Sequence, residues 1–279
     1  MVPTTARQET KKMSDELVIE QKQGLGNAGT QVGVQNNYGL SPVEATRMAF
    51  EIFREYYPQL REEALKELNN LVEEKLSSIP QELIDSPKPR IAVPTLQNAS
   101  ITEEREIREL YANLLANSMN KVVKNGVHPG FVEIIKQLSP DEAKILKYIR
   151  AHTTIPTVTL RYENDDGSGI DIIKNFSDIG EKSGCEIPQD IAKYFDNLVR
   201  LGLIISADGL SSLTDKAQYD PLKNHRWIKP HATTEKANSR SFTKYNFNES
   251  FVEITAYGKS FCSICLETQK VIILKSQKG

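Results

Sequence analysis

Helix start signals followed by apolar residues at helical spacing constrain the fold of this chain more than any other feature. Ser41 is a good N-cap, Pro42 suits the first helical position, and Glu44 completes a capping box. The run Ser139-Pro140-Asp141-Glu142 repeats this signal in the second half of the chain. Because apolar residues recur at helical spacing after each signal, the sequence predicts a mainly α protein with a small β component.

The first half of the chain predicts a helical domain, an N-terminal bundle over residues 41–138. A broad apolar face follows Pro58, and a later helix that begins at Thr102 has a wide inner face. Prolines are frequent within residues 80–100, which argues against a helix there and indicates an extended connector. The face after Pro58 comprises Leu60, Leu65, Leu68, Val72 and Leu76.

The second half predicts a winged-helix-like domain over residues 139–270, followed by a tail, 271–279. After the helix that begins at Pro140 we expect a strand, a short helix, a turn and a longer helix. Two further strands are expected to pair, separated by a long polar insertion that contains the only tryptophan, Trp227. The expected elements are Thr157–Tyr162, Phe176–Glu181, Ser183–Glu186, Pro188–Leu201, Leu203–Ser206, Phe251–Thr255 and a closing helix, Gly258–Leu266.

Charge balance and cysteine usage argue against several classes of protein. The chain has 279 residues, with 35 basic and 37 acidic side chains and a net charge of −2, so no one-signed field attracts nucleic acid or an anionic membrane. The sequence has neither an apolar run that would span a bilayer nor a signal-peptide pattern. Its three cysteines form no disulfide framework. We therefore expect a cytoplasmic protein with reduced thiols and no membrane span.

Residues 1–40 differ in composition from the rest of the chain. Residues 1–23 are polar and charged, which predicts a disordered arm. From Gln23 to Val43 no side chain is charged, and glycines are interspersed with glutamines and asparagines. Such segments associate readily as stacked β-strands. The composition therefore predicts an amyloid-like interaction segment at residues 24–39, with a flexible linker as the alternative.

Several residues of reactive type are present, but their sequence contexts predict structural roles. Cys262 and Cys265 form a CxxC pair, without the two further ligands that a zinc site requires. His128 precedes Pro129 at a helix start, where a lone histidine caps the chain more often than it catalyses a reaction. The sequence contains no phosphate-binding loop, dinucleotide fingerprint or nucleophile elbow. We expect no catalytic, cofactor-binding or metal-binding residue, and no enzyme activity.

The longer helix of the winged-helix-like domain is a candidate recognition helix for nucleic acid. Its candidate contacts, on or near the outer face, are Gln189, Lys193, Asn197 and Arg200. Winged helices also dock proteins, and these few side chains are modest beside the phosphate contacts of tight DNA binders. A DNA-binding transcriptional regulator is therefore the alternative function.

Three runs of sequence together resemble the Abi-alpha family, whose members are named for an association with abortive infection. These runs are Pro89–Pro94 (PRIAVP), Glu109–Ala116 (ELYANLLA) and Val127–Ala143 (VHPGFVEIIKQLSPDEA). The resemblance implies a predominantly helical domain, a bacterial host and a role in defence against phage. It implies no catalytic residue.

A shorter resemblance lies in the uncharged segment. Thr30–Tyr38, TQVGVQNNY, is similar to the RIP homotypic interaction motif, although Thr30 stands where the motif usually has isoleucine or valine. Amide side chains can form ladders along a β-stack, and valines can interlock between sheets. The resemblance implies that the chain binds itself, or a protein with a similar motif. The residues that it assigns to this contact are Gln31, Val32, Gly33, Asn36 and Tyr38.

Taken together, the residues and the two resemblances predict a non-enzymatic phage-defence protein. It would be recruited or assembled through its N-terminal homotypic segment, while the helical body acts in the defence response.

Overall fold

The computed structural model describes residues 62–152 and 154–268, together with Glu44, Arg47 and Glu51, which are helical. The predicted arm, the homotypic segment 24–39 and the tail 271–279 lie outside the described residues. The chain divides into two compact units. Unit 1 comprises residues 1–136 and 267–279, and unit 2 comprises residues 137–266.

The described part of unit 1 is built from α-helices around one central helix. Its helices are α1 (Glu62–Ser77), α2 (Pro89–Ile101), α3 (Arg105–Met119) and α4 (Gly130–Ile135), with short 3-10 turns at Gln81–Leu83 and Lys124–Gly126. Helix α3 is central, since every residue from Leu110 to Asn120 is buried. The predicted apolar face of α1 packs inward, with Leu68, Val72 and Leu76 almost fully buried.

The prediction of an extended connector over residues 80–100 is wrong in its second half, because α2 is helical from Pro89 to Ile101. Pro89 occupies the first turn, where a missing N–H costs nothing, and only Pro94 lies in the helix interior. Proline there removes one backbone hydrogen bond to the carbonyl of Arg90. Burial of Ile91 and Leu96 on the inner face compensates for that loss.

Unit 2 combines short helices with a small antiparallel sheet. Its elements are α5 (Pro140–His152), β1 (Thr154–Glu163), β2 (Gly169–Phe176), α6 (Ile179–Lys182), α7 (Ile191–Arg200), β3 (Ile204–Ser206), α8 (Asp220–Lys223), α9 (Thr234–Asn238), β4 (Lys244–Ile254) and α10 (Ala256–Cys265). Both units together confirm the prediction of a mainly helical protein with a small β component.

The four described strands form one sheet in the order β2-β1-β4-β3, with antiparallel neighbours. Strands β1 and β4 pair along their length, from Thr154 opposite Glu253 to Glu163 opposite Lys244. The predicted pairing of the two late strands is confirmed, since Ile204 lies opposite Ile254. Strand β2 was not predicted, because its apolar residues, Ile170, Ile172, Ile173 and Phe176, do not alternate regularly with polar ones.

The segment between β3 and β4, expected to be a long polar insertion, folds against the sheet. Tyr219, Leu222 and Ile228 are at most 1% exposed, and Ala237 joins a cluster with Leu160 of β1. Apolar residues are sparse in this segment, but each of these is placed to cover the sheet. The insertion is therefore an ordered layer of unit 2.

Candidate functional site

A buried carboxylate organises the helices of unit 2. Asp141, in the first turn of α5, accepts hydrogen bonds from the backbone N–H groups of Glu186 and Ile187 at 2.9 and 3.1 Å. It also accepts bonds from the Tyr194 hydroxyl at 2.9 Å and from Lys144 at 3.1 Å. Burial alone would raise the pKa of Asp141, but these hydrogen bonds outweigh it and lower that pKa. Asp141 thus fixes α7, and the turn before it, against α5.

A second network joins the start of α5 to the outer part of α7. Ser139 and Glu142 form the predicted capping box, with the Ser139 N–H donating to Glu142 Oε2 at 2.7 Å and the Glu142 N–H donating to Ser139 Oγ at 3.3 Å. Asn197 Nδ2 donates to Glu142 Oε1 at 2.8 Å and to the carbonyl of Gln137 at 3.0 Å. Arg200 donates to the Gln137 side chain at 2.9 Å. The polar side chains of α7 are therefore partly engaged within unit 2.

The outer face of α7 combines charges of both signs. Gln189 and Lys193 are exposed, and Lys193 pairs with Asp190 at 3.1 Å. Asp196 is also exposed, one turn from both Lys193 and Arg200. A surface that tracks phosphates needs a net positive charge, which this face lacks. The four residues predicted to contact nucleic acid thus lie on α7 or just before its start. Their assignment as contacts stays a prediction.

The homotypic contact residues Gln31, Val32, Gly33, Asn36 and Tyr38 lie outside the described residues. Their assignment stays a prediction that rests on the sequence alone.

The CxxC cysteines lie in the core of unit 2. Cys262 and Cys265 of α10 are both 0% exposed. Burial raises the pKa of Cys262 to about 12 and the pKa of Cys265 well above its usual value. Both thiols are therefore protonated near neutral pH and pack as small apolar side chains. Among the described residues, no group of three or more histidine, cysteine or acidic side chains is placed to hold a metal ion.

Two histidines have structural partners. His128 Nδ1 accepts the N–H of Gly130 at 3.0 Å and so caps the start of α4. His225 Nδ1 accepts the N–H of Trp227 at 3.3 Å, while its Nε2 lies 3.2 Å from Glu181. The His225 ring also packs against the Trp227 ring, with 4.9 Å between centroids. His225 therefore helps to attach the insertion to α6.

Two buried asparagines of α3 were not among the residues predicted from the sequence to form a site. Asn113 is 4% exposed and Asn117 is 0% exposed. Asn117 Nδ2 donates to the main-chain carbonyl of Glu267 at 2.8 Å, and Thr268 Oγ1 donates to Asn113 Oδ1 at 3.0 Å. The available signal was the run ANLLAN, in which two amides lie one helical turn apart on a helix of otherwise mostly apolar residues.

A family model described as abortive infection alpha matches residues 60–265 of the chain. A search of the curated proteins finds no match. A solved structure of an uncharacterized protein from the hydrocarbon-degrading marine bacterium Alcanivorax borkumensis SK2 matches with 18% identity, 49% of this chain and 92% of that chain covered, and a TM-score of 0.34. A TM-score this low does not establish a shared fold.

Within residues 62–152 and 154–268, no helix is both long and apolar enough to cross a membrane.

Proposed function

The chain belongs to the abortive infection alpha family, and on that premise we propose that it is a non-enzymatic protein of defence against phage. The observation that supports this proposal is the family match over residues 60–265, which spans parts of both units. We place the protein in the cytoplasm, as the sequence predicts, and in a bacterial cell, as the family resemblance implies.

The non-enzymatic part of the proposal is supported by the surroundings of the reactive side chains. Asp141 stabilises a turn, His225 attaches the insertion, and Cys262 is buried with a raised pKa. A general acid or base must lie within hydrogen-bond reach of a substrate proton, and a nucleophile needs an adjacent activating group. These three side chains instead serve packing and helix placement.

We assign assembly to the N-terminal homotypic segment at residues 24–39. Its lack of charge and its amide-rich sequence support stacking, and the helix start signal predicted at Ser41 follows it directly in the sequence. In this proposal the segment recruits a second copy of the chain or a protein with a similar motif. The part of the chain that matches the family, residues 60–265, then acts in the response to phage.

We assign a winged-helix-like architecture to unit 2. If strand β2 and the insertion with α8 and α9 are set aside, the remaining order α5, β1, α6, α7, β3, β4, with β4 between β1 and β3 in the sheet, supports it. The mixed charge around Asp196 favours a protein partner over nucleic acid on the outer face of α7. Unit 2 would then be a docking module in the defence response.

A phage-plating experiment tests whether defence requires assembly through residues 24–39. Cells that express the intact chain with the genes that flank its own should form fewer phage plaques than cells that lack it. Deletion of residues 24–39 should abolish the protection, whereas a deletion of equal length within residues 1–23 should preserve it. Equal protection by the intact chain and the 24–39 deletion would reject assembly through this segment.

A DNA mobility-shift experiment tests the alternative, a DNA-binding regulator. The full chain should give no salt-dependent shift of duplex DNA at low salt. A shift that is weakened by Lys193→Ala and Arg200→Ala, but not by the control Lys174→Ala on β2, would overturn the protein-docking assignment and favour the regulator.

A further inference from the structure

The chain returns to unit 1 after unit 2 is complete. Unit 1 ends its first stretch at residue 136 and resumes at residue 267, so unit 2 is an insertion within unit 1. Glu267 and Thr268, the last residues described, are held by side chains of the central helix α3. The return of the chain therefore depends on contacts in the core of unit 1.

The contacts are made by two amides that are almost completely buried. Asn113 and Asn117 lie one helical turn apart on α3, so their side chains point to the same side. Asn117 donates to the Glu267 carbonyl at 2.8 Å, and Asn113 accepts from the Thr268 hydroxyl at 3.0 Å. A buried amide that loses one of its hydrogen bonds incurs a desolvation cost which that bond had offset. These two positions therefore favour an occupied site over an empty one.

We propose that Asn113 and Asn117 form a peptide-binding site on unit 1, and that its occupant is this chain's own segment 267–279. The site recognises a main-chain carbonyl followed by a hydroxyl side chain, which are the groups that Glu267 and Thr268 present. Beyond these residues the sequence has four consecutive apolar residues, Val271–Leu274, and removal of apolar side chains from water is favourable in general. This site is independent of the homotypic segment and of the proposed defence role.

A cleavage experiment tests whether the segment is bound or only tethered. A specific protease site is placed between Leu266 and Glu267 of the full chain, and the folded protein is cut. Fragment 267–279 should then co-elute with the body in size-exclusion chromatography. Replacement of both amides by Asn113→Leu and Asn117→Leu should release the fragment, whereas Asn125→Leu, at an exposed position, should leave it bound. A fragment that leaves the wild-type body, or that stays on the double variant, would overturn the proposal.

A second experiment starts from the occupant and does not depend on folding of the double variant. A chain truncated after Leu266 should melt at a temperature lower by roughly 5 °C or more. A synthetic peptide of residues 264–279 should restore the lost stability, and the same peptide with Thr268→Val should restore less. The fluorescence of Trp227, which lies in unit 2, should show that unit 2 stays folded in the truncated chain. Failure of the wild-type peptide to raise the melting temperature would contradict the proposed site.

Discussion

Asp141 is the residue on which the arrangement of α5, α7 and the preceding turn depends most. Replacement by Asp141→Asn removes the charge that faces Lys144 and leaves an amide where four donors converge. We expect this change to lower the free energy of unfolding by about 1–3 kcal/mol at neutral pH. Chemical denaturation measures it, with the exposed Asp196→Asn as the control that should change little.

Asp141 also makes the free energy of unfolding depend on pH, and the direction of this dependence follows from the pKa of Asp141. The folded state lowers the pKa of Asp141, so its stabilisation is complete above the unfolded pKa of about 3.9. The contribution is lost as pH falls through the lower pKa of the folded state. The difference in unfolding free energy between wild type and Asp141→Asn should therefore be constant near neutral pH and shrink below about pH 4. A difference that grows on acidification would contradict the assigned role.

At single residues, the sequence predicted local contacts better than distant ones. The capping box of Ser139 and Glu142 was predictable because both partners lie within one helical turn. The bonds that Asp141 accepts from residues 186 and 187, and the bond that Asn117 donates to Glu267, join segments far apart in the chain. No spacing rule encodes such partners, because they exist only once the chain has folded.

At the level of elements, α2 shows how tertiary packing overrides a local preference. Pro94→Ala would restore the backbone N–H that bonds the carbonyl of Arg90 and would remove the ring from the helix interior. We expect the free energy of unfolding to rise by about 1–2 kcal/mol, because proline is strongly unfavourable at such a position. Thermal unfolding measures it, and the exposed Arg90→Ala provides a control in the same helix. A lower melting temperature for Pro94→Ala would show that the proline ring itself stabilises the helix.

The insertion between β3 and β4 is held to the sheet by a carboxylate of β4. Glu249 pairs with Lys216 at 2.6 Å and with Lys223 at 2.7 Å. Burial alone would raise the pKa of Glu249, but the two lysines lower it overall, so the attachment should weaken as pH falls below the ordinary glutamate range. Glu249→Gln should cost about 1 kcal/mol and speed backbone hydrogen exchange within residues 216–238. Unchanged exchange there, with Glu235→Gln as the control, would contradict the role of this pair.

Secondary structure was predictable where apolar periodicity was clear, as in α1, and where a capping signal accompanied it, as in α5. It was missed in α2, where the four prolines of residues 80–100 outweighed the helical spacing of the residues that become buried, Ile91, Thr95 and Ala99. Strand β2 was missed because its apolar residues do not alternate regularly with polar ones. The folded insertion was missed because its few apolar residues form a layer only in contact with the sheet. The candidate docking face of α7 was located from the sequence, but the internal bonds of Asn197 and Arg200 were not.

At the scale of the whole molecule, we propose that the N-terminal segment 24–39 assembles, while the part of the chain that matches the family, residues 60–265, acts in the response. A peptide of residues 24–40 should form thioflavin-positive fibres, because nothing in it carries a side-chain charge. Gly33→Val should prevent close approach of the strands, and Asn36→Asp should introduce repulsion along the amide ladder. Ala28→Ser, which lies outside the motif, is the control and should still form fibres. A wild-type peptide that stays monomeric at high concentration would reject stacking.

The measurement that tests the central claim most directly is the number of phage plaques on cells that express the intact chain with its flanking genes. The count is compared with that on cells that carry the flanking genes alone, across a panel of phages. The account predicts markedly fewer plaques for at least some phages when the chain is present. Equal plaque counts for every phage, with the protein folded and expressed, would contradict the defence role.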